Sequence, residues 1–385
     1  MLTCRNITIL CLLICFAACG PKNYHTNTSA PLLGQPVIDN ANNSFNDTGL
    51  FLAGLPLKKQ EYKKLTENKH YKEYKDIINK SWNTYFAPNR AKITEWRKKY
   101  LNNDYGKAVF YPFSGPDILH ALTFYPDANE FVMFGLEPTG GIPDITKAEE
   151  ANLEMQLHQF LVVVNFALGQ SYFITKEMKV HLQPSGLNGI TAIMMFFLVR
   201  GGYDIVQVKE ISIAPYGSVV PWIITNNKAA ANGVEILFTE KNSSEIKRVR
   251  YFSLNVENSS PQLATLDKYI EQYPPFTTIF KSASYLVWWG SFTKIRDLIM
   301  KSSNSILQDD TGIPYKILKD SPSWRITHFG KYHKPIPIFI SCYQELLETD
   351  NAIYSKAPIN FEYGYGYAYE DITYHLVWAQ KIYYR

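Results

Sequence analysis

Large apolar residues change their period along the chain. Between residues 58 and 101 they recur three and four apart. Ile77, Ile78, Trp82, Tyr85 and Phe86 form one stripe, and Ile93, Trp96 and Tyr100 form another. This spacing predicts two amphipathic helices separated by a break at Pro88-Asn89. Beyond residue 107 the pattern turns to short continuous apolar runs, KAVFYP (107–112) and EFVMFGL (130–136), which read as buried strands around a helix at 116–125. A longer helix is predicted over 148–168, with Leu153, Leu157, Phe160, Leu161, Val164 and Leu168 on its apolar face and Gly169 as its stop. Residues 188–200 read as a nearly all-apolar helix ended by Gly201-Gly202, too short to span a bilayer. Strands are predicted at 203–213, at 234–238 and 248–256 as a hairpin, and at 281–288, 304–308 and 372–378, with a helix at 292–302. Strands alternating with helices predict an α/β fold. It is read as a Rossmann-like mixed sheet with helices on both faces, preceded by a basic helical N-terminal segment at 58–101.

The first residues, MLTCRNITILCLLICFAAC, follow a different logic. Arg5 precedes an apolar run from Ile9 to Phe16, the length of a signal-peptide core and short of the roughly 20 residues a membrane span needs. Ala17, Ala18 and Cys19 then resemble a lipobox, with Phe16 where that signal usually has leucine. The resemblance implies a signal peptide over 1–18, a lipid-modified Cys19, and a chain held permanently to a bacterial membrane. Gly20 supplies no inner-membrane retention signal, so the outer membrane is expected. Residues 19–50 are rich in Asn, Thr, Ser, Gly and Pro and are expected to be a disordered tether. The domain is then 51–385, a single α/β unit with the helical cap.

Composition narrows the class further. The chain is 46% hydrophobic and 19% charged with a net charge of +4, the profile of a globular domain. Of its five cysteines, Cys4, Cys11 and Cys15 lie in the signal segment and Cys19 takes lipid. Cys342 therefore remains alone, without a disulfide partner or a Cys/His metal framework, in an apolar setting that predicts burial. The charge is uneven: 58–101 carries 13 Lys/Arg against 5 Asp/Glu. Such a run is either a solvated face or a contact for anionic lipid. Nucleic acid is not an expected partner of an exported protein. Aromatics reach 15%, with 27 Tyr. They suit an aromatic core and half-exposed strands, and also carbohydrate or protein contact surfaces.

Candidate chemistry centres on VFYPFSGPDILHALTFYPDANEFVMFGLEPTGG (109–141). It reads as a strand, a Ser-Gly-Pro-Asp turn, a helix, a second strand and a terminal acid. Ser114 is a candidate cap and Pro116 suits the first helical turn. Glu137 follows Gly115 by 22 residues, the spacing at which nucleotide-binding α/β folds place the carboxylate that holds ribose hydroxyls. The unit resembles the opening motifs of Rossmann-like folds and class I methyltransferases. It has one glycine in the turn instead of two or three, and a proline where a phosphate would want an N–H. Ser114, Gly115 and Glu137 are therefore candidate ligand-binding residues, or parts of a structural βαβ unit. Asp117 and His120 fall one turn apart on one helix face. Asp309 and Asp310 follow a strand in SILQDDTGIPY, as a cation-binding or acid–base pair or as a turn. These four are the candidate catalytic residues. No metal site is expected, since His328 and His333 lack an obvious third ligand, and no cofactor is identified. Tyr363, Tyr365, Tyr367 and Tyr369 alternate near the C-terminus, as stacking surfaces for sugars or as a glycine-permitted bend.

Taken together, YPFSGPD, FGLEP, KSASYL, ILQDDTGIPY and the FGKY–IPIF segment resemble a family of bacterial exported lipoproteins with no activity attached. The resemblance spans most of 105–385 and implies a shared architecture, without site residues. The expected function is a ligand-binding or interaction module on a degenerate Rossmann-like core, with a small molecule or an envelope protein as partner. The alternative is a transferase or hydrolase, which requires the 114–120 turn and the 309–310 pair to converge on one ligand.

Overall fold

Val109 and Tyr111 of strand β1 (Ala108–Pro112) and Phe131 and Met133 of β2 (Glu130–Gly135) pack to one side of a sheet, while Phe110, Val132 and Phe134 pack to the other. Strands apolar on both faces need cover on both, and helices supply it. The computed structural model describes residues 44–382 except 58, 102–106, 149, 171, 174–188, 223–226, 366, 369–370 and 373. The expected signal segment, Cys19 and the part of the expected tether up to 43 lie outside these.

The remaining strands are β3 (Tyr203–Ile213), β4 (Val219–Pro221), β5 (Ala231–Glu240), β6 (Ile246–Ser253), β7 (Phe276–Phe280), β8 (Ser303–Gln308), β9 (Trp324–Gly330), the small pair β10 (Tyr367–Ala368) and β11 (Asp371–Ile372), and β12 (His375–Lys381). Ten of them form one sheet in the order β4-β3-β5-β6-β2-β1-β7-β8-β12-β9. The run β6-β2-β1-β7-β8 is parallel throughout. β12 lies antiparallel between β8 and β9, and β5, β3 and β4 extend the other edge antiparallel, with β3 between β5 and β4. The α/β class, the mixed sheet and the helices on both faces are as the sequence predicts. So is the 203–213 strand, to the residue.

Helices α1 (Ser44–Leu52), α2 (Lys63–Glu67), α3 (Lys69–Ser81), α4 (Ala87–Tyr100), α5 (Ile118–Phe124), α6 (Glu150–Gln170) and α7 (Ile190–Arg200) precede β3 or lie between the early strands. All but the short α2 place buried residues in the first face's core. Helices α8 (Pro261–Ile270) and α9 (Thr293–Ser302) cover the other face. Beyond them come α10 (Tyr315–Asp320) and α11 (Glu345–Tyr354). α7 is buried along almost its whole length, with Phe196 meeting Phe160 at 5.8 Å and Trp82 at 6.4 Å between ring centroids. Among the described residues no helix is long and apolar enough to cross a membrane.

Four expectations need correction. Residues 44–50 do not belong to the expected tether, because Ser44–Leu52 is a helix whose Leu50, Phe51 and Leu52 are buried. The apolar cluster at its end outweighs the polar residues before it. There is no break at Pro88: a π turn at Trp82–Phe86 joins α3 to α4, and Pro88 sits in the first turn of α4, where its missing N–H costs no internal bond. The strand expected at 281–288 is instead a loop and a short 3₁₀ turn, and the strand lies just upstream at Phe276–Phe280. Serines at 282 and 284 stand in left-handed conformations that no strand accepts. Cys342 is buried as expected, but Ile338 and Ile340 beside it are exposed, so its cover comes from elsewhere.

Candidate functional site

β1 and β7 are neighbours, yet β1 leads to β2 on one side and β7 leads to β8 on the other. Such a reversal leaves a crevice outside the carboxyl ends of the two strands, where ligands of open α/β sheets bind. A cavity of about 290 Å³ occupies that place. Its lining comes from the ends of three strands: Ser114, Gly115 and Asp117 after β1, Glu137 after β2, and Lys281 to Ser284 after β7. Tyr172, Phe173 and Tyr365 close the outer side.

After β1, Asp117 is the N-cap of α5 and accepts from the His120 backbone N–H at 3.3 Å. Ser114, the expected cap, instead donates its hydroxyl to the Gly115 carbonyl at 2.9 Å, because the Asp117 carboxylate already holds the helix start. The other contacts of Asp117 are the His120 ring at 2.7 Å, the Tyr111 hydroxyl at 2.9 Å and the Lys281 ammonium at 2.7 Å. Burial alone would raise this carboxyl, but the charges and hydrogen bonds of His120 and Lys281 outweigh it and hold the group well below the usual carboxylate range. Burial lowers the His120 imidazole, and Lys281 adds to that, against the pull of Asp117. The ring is therefore a neutral donor to Asp117.

Glu137 folds back over the end of β2. Its carboxylate accepts from the Tyr251 hydroxyl at 3.2 Å and its carbonyl from the same group at 3.0 Å. Only glycine permits this, since a Cβ on Gly135 would lie 2.3 Å from the Glu137 carboxylate.

After β7 the backbone is strained. Ser282, Ser284 and Tyr285 have φ of 54°, 52° and 57°. The β8 end over-determines this loop. Asp309 accepts from the Ser282 N–H at 2.8 Å, Thr311 from the Ala283 N–H at 2.7 Å, and Asp310 from the Tyr285 hydroxyl. Burial raises both carboxyls of the Asp pair, and the charge of Asp309 raises Asp310 further.

The expected residues thus divide. Ser114, Gly115, Asp117 and Glu137 line one crevice. His120 does not: it is buried behind Asp117 against Phe86 and Tyr363. Asp309 and Asp310 stand at the same end of the sheet but face inward as the brace of the 281–285 loop, so the Asp-Asp-Thr-Gly turn is their role in the fold. His328 and His333 part company, His328 buried against Tyr315 and His333 beside Glu348. Of the four alternating tyrosines, Tyr363 is core, Tyr365 lines the crevice, the side chain of Tyr367 is not described, and Tyr369 lies outside the described residues. Lys281, Ser282 and Ser284 were missed because KSASYLVW was read as a strand. The signal was there in FTTIF ahead of it, a short β-branched run after two prolines.

The fold and crevice define an α/β protein with a cavity at a topological switch point. Comparison with family models and with curated proteins gave no match.

Proposed function

We propose that this chain is a bacterial envelope lipoprotein, tethered through Cys19 to the outer membrane, that binds a small ligand in the β1–β2–β7 crevice. One observation carries the ligand reading. Among described residues five non-glycines have left-handed backbone, and three of them (Phe113, Ser282 and Ser284) line this cavity, with a fourth, Tyr285, next in the chain to Ser284. Each such conformation costs on the order of 1–3 kcal/mol and clusters where function requires it. Glu137 adds an acceptor where a hydroxylated ring would lie, as in nucleoside-binding folds.

A second reading, a transferase, is supported by the strand order. The run β6-β2-β1-β7-β8-β12-β9, with β12 reversed, is the arrangement of class I methyltransferases, which the opening βαβ unit resembles. Hydrolysis has less support, because His120 and the Asp pair turn away from the crevice.

The test is thermal unfolding of the purified chain with nucleosides, S-adenosylmethionine and sugars, beside a Glu137→Ala variant. A ligand at 100 times its Kd stabilises by about 2.7 kcal/mol, a shift of a few degrees. A shift lost in Glu137→Ala supports the site, and its absence with every compound counts against it. Turnover of the stabilising compound would favour the transferase. Loss of membrane fractionation in Cys19→Ser tests the anchor.

A further inference from the structure

We infer that the crevice, taken as the ligand site just proposed, binds an amphiphile, with its polar head at the strand ends and an aliphatic arm over the 337–342 turn. The lining is sorted by depth. Ser114, Asp117, Glu137 and Lys281, at the ends of β1, β2 and β7, are all buried. The outer lining is largely apolar: Phe113, Phe173, Leu286 and Tyr365 are half-buried, and Leu136 is 51% exposed. A group that needs hydrogen bonds is matched at the bottom, and an apolar one at the mouth. The cavity of about 290 Å³ is small beside the roughly 300–1,000 Å³ of ligand pockets, so a ligand larger than its head group continues outward.

The apolar wall does not stop at the mouth. Tyr365 packs on Phe339 with ring centroids 5.6 Å apart, and Phe339 packs on Tyr285 at 5.1 Å. On either side of Phe339, Ile338 is 76% exposed and Ile340 is 53% exposed. No charged residue lies between Lys334 and Glu345. Apolar residues exposed singly need no partner, but two that adjoin the aromatic wall of a cavity extend it as one surface. Branched aliphatic side chains suit a hydrocarbon chain, whose every methylene taken from water favours binding. The wall and the turn thus fit one molecule that is polar at one end and aliphatic at the other.

The experiment is isothermal titration of the detergent-free full-length chain with two pairs that share a head and differ in the arm. These are methyl against octyl β-D-glucoside and adenosine against N6-octyladenosine, each below its micelle concentration. We expect the octyl member of at least one pair to bind about tenfold or more tightly, and its short partner to displace it. Ile338→Ser combined with Ile340→Ser, at exposed positions that the fold tolerates, should remove that gain and leave the short member's affinity unchanged. Equal binding within both pairs, a gain that survives the double substitution, or octyl binding that the short partner does not displace overturns the inference. Binding of the short members in those cases leaves the crevice as a ligand site. Binding by none of the four overturns both readings.

Discussion

Asp117 accepts from three side chains and one backbone N–H, and its partners come from β1, α5 and the β7 end. A buried carboxylate satisfied in this way joins two strand ends into one unit, and removing a single partner leaves charge unmatched. Lys281→Ala is therefore expected to cost about 3–5 kcal/mol in urea unfolding. Lys281→Met combined with Asp117→Asn should cost clearly less, since both charges go together. If the single and double variants are equally destabilised, the pair is not what joins the strands. Gly135→Ala tests the other wall. Its Cβ would fall 2.3 Å from the Glu137 carboxylate and 2.8 Å from the Tyr251 hydroxyl. Overpacking of this kind costs about 1–3 kcal/mol. The variant should also lose whatever ligand response Glu137→Ala loses, and retention of that response would place Glu137 outside the site.

At the scale of elements, periodicity was a good guide wherever a segment's own residues decide its structure. Leu153, Leu157, Phe160, Val164 and Leu168 mark the buried face of α6, and YDIVQVKEISI marks β3. It failed where distant contacts decide. The left-handed loop after β7 exists because Asp309, Asp310 and Thr311, 25 to 28 residues on, hold it. No local pattern in KSASYL announces those partners. The candidate residues were legible as types at strand ends, but which of them face solvent depends on the packing of β8 and the 363–365 segment. α1 is the same lesson at the other end of the chain. Its Phe51 stacks on Tyr71 of α3 with centroids 4.3 Å apart, and Gly49 lets the helix approach Val199 and Ile205 closely. Phe51→Ala is expected to cost about 3–5 kcal/mol. A chain begun at Ala53 should unfold at markedly lower temperature than one begun at residue 43. Equal melting of the two would return 44–52 to the tether.

For the whole molecule, two buried groups of opposite habit set the response to pH. On β9 and β12, His328 and His375 lie on the same face of the sheet, near Tyr315, Asp350, Lys319 and Tyr332. Burial lowers them from 6.5 to about 4 and about 3, with Asp350 opposing and Lys319 aiding at His328, and His328 disfavouring charge on His375. The unfolded chain binds these protons first, so stability falls as pH drops below about 6.5, by up to about 1.4 kcal/mol per pH unit for each ring. Asp310, pushed up to about 7 by burial and by Asp309, works in reverse. The folded chain keeps its proton longer, so that contribution is present at low pH and lost as pH rises from about 4 to about 7. The two slopes overlap and oppose each other. Wild-type stability, measured by urea unfolding from pH 4 to 7, should therefore change less than in Asp310→Asn, where the rise from the histidines meets less opposition. His375→Phe keeps a ring against Tyr332 and removes one titrating group, and its curve should be flatter or inverted. Parallel curves for all three chains would mean that neither buried group titrates in the folded state over this range.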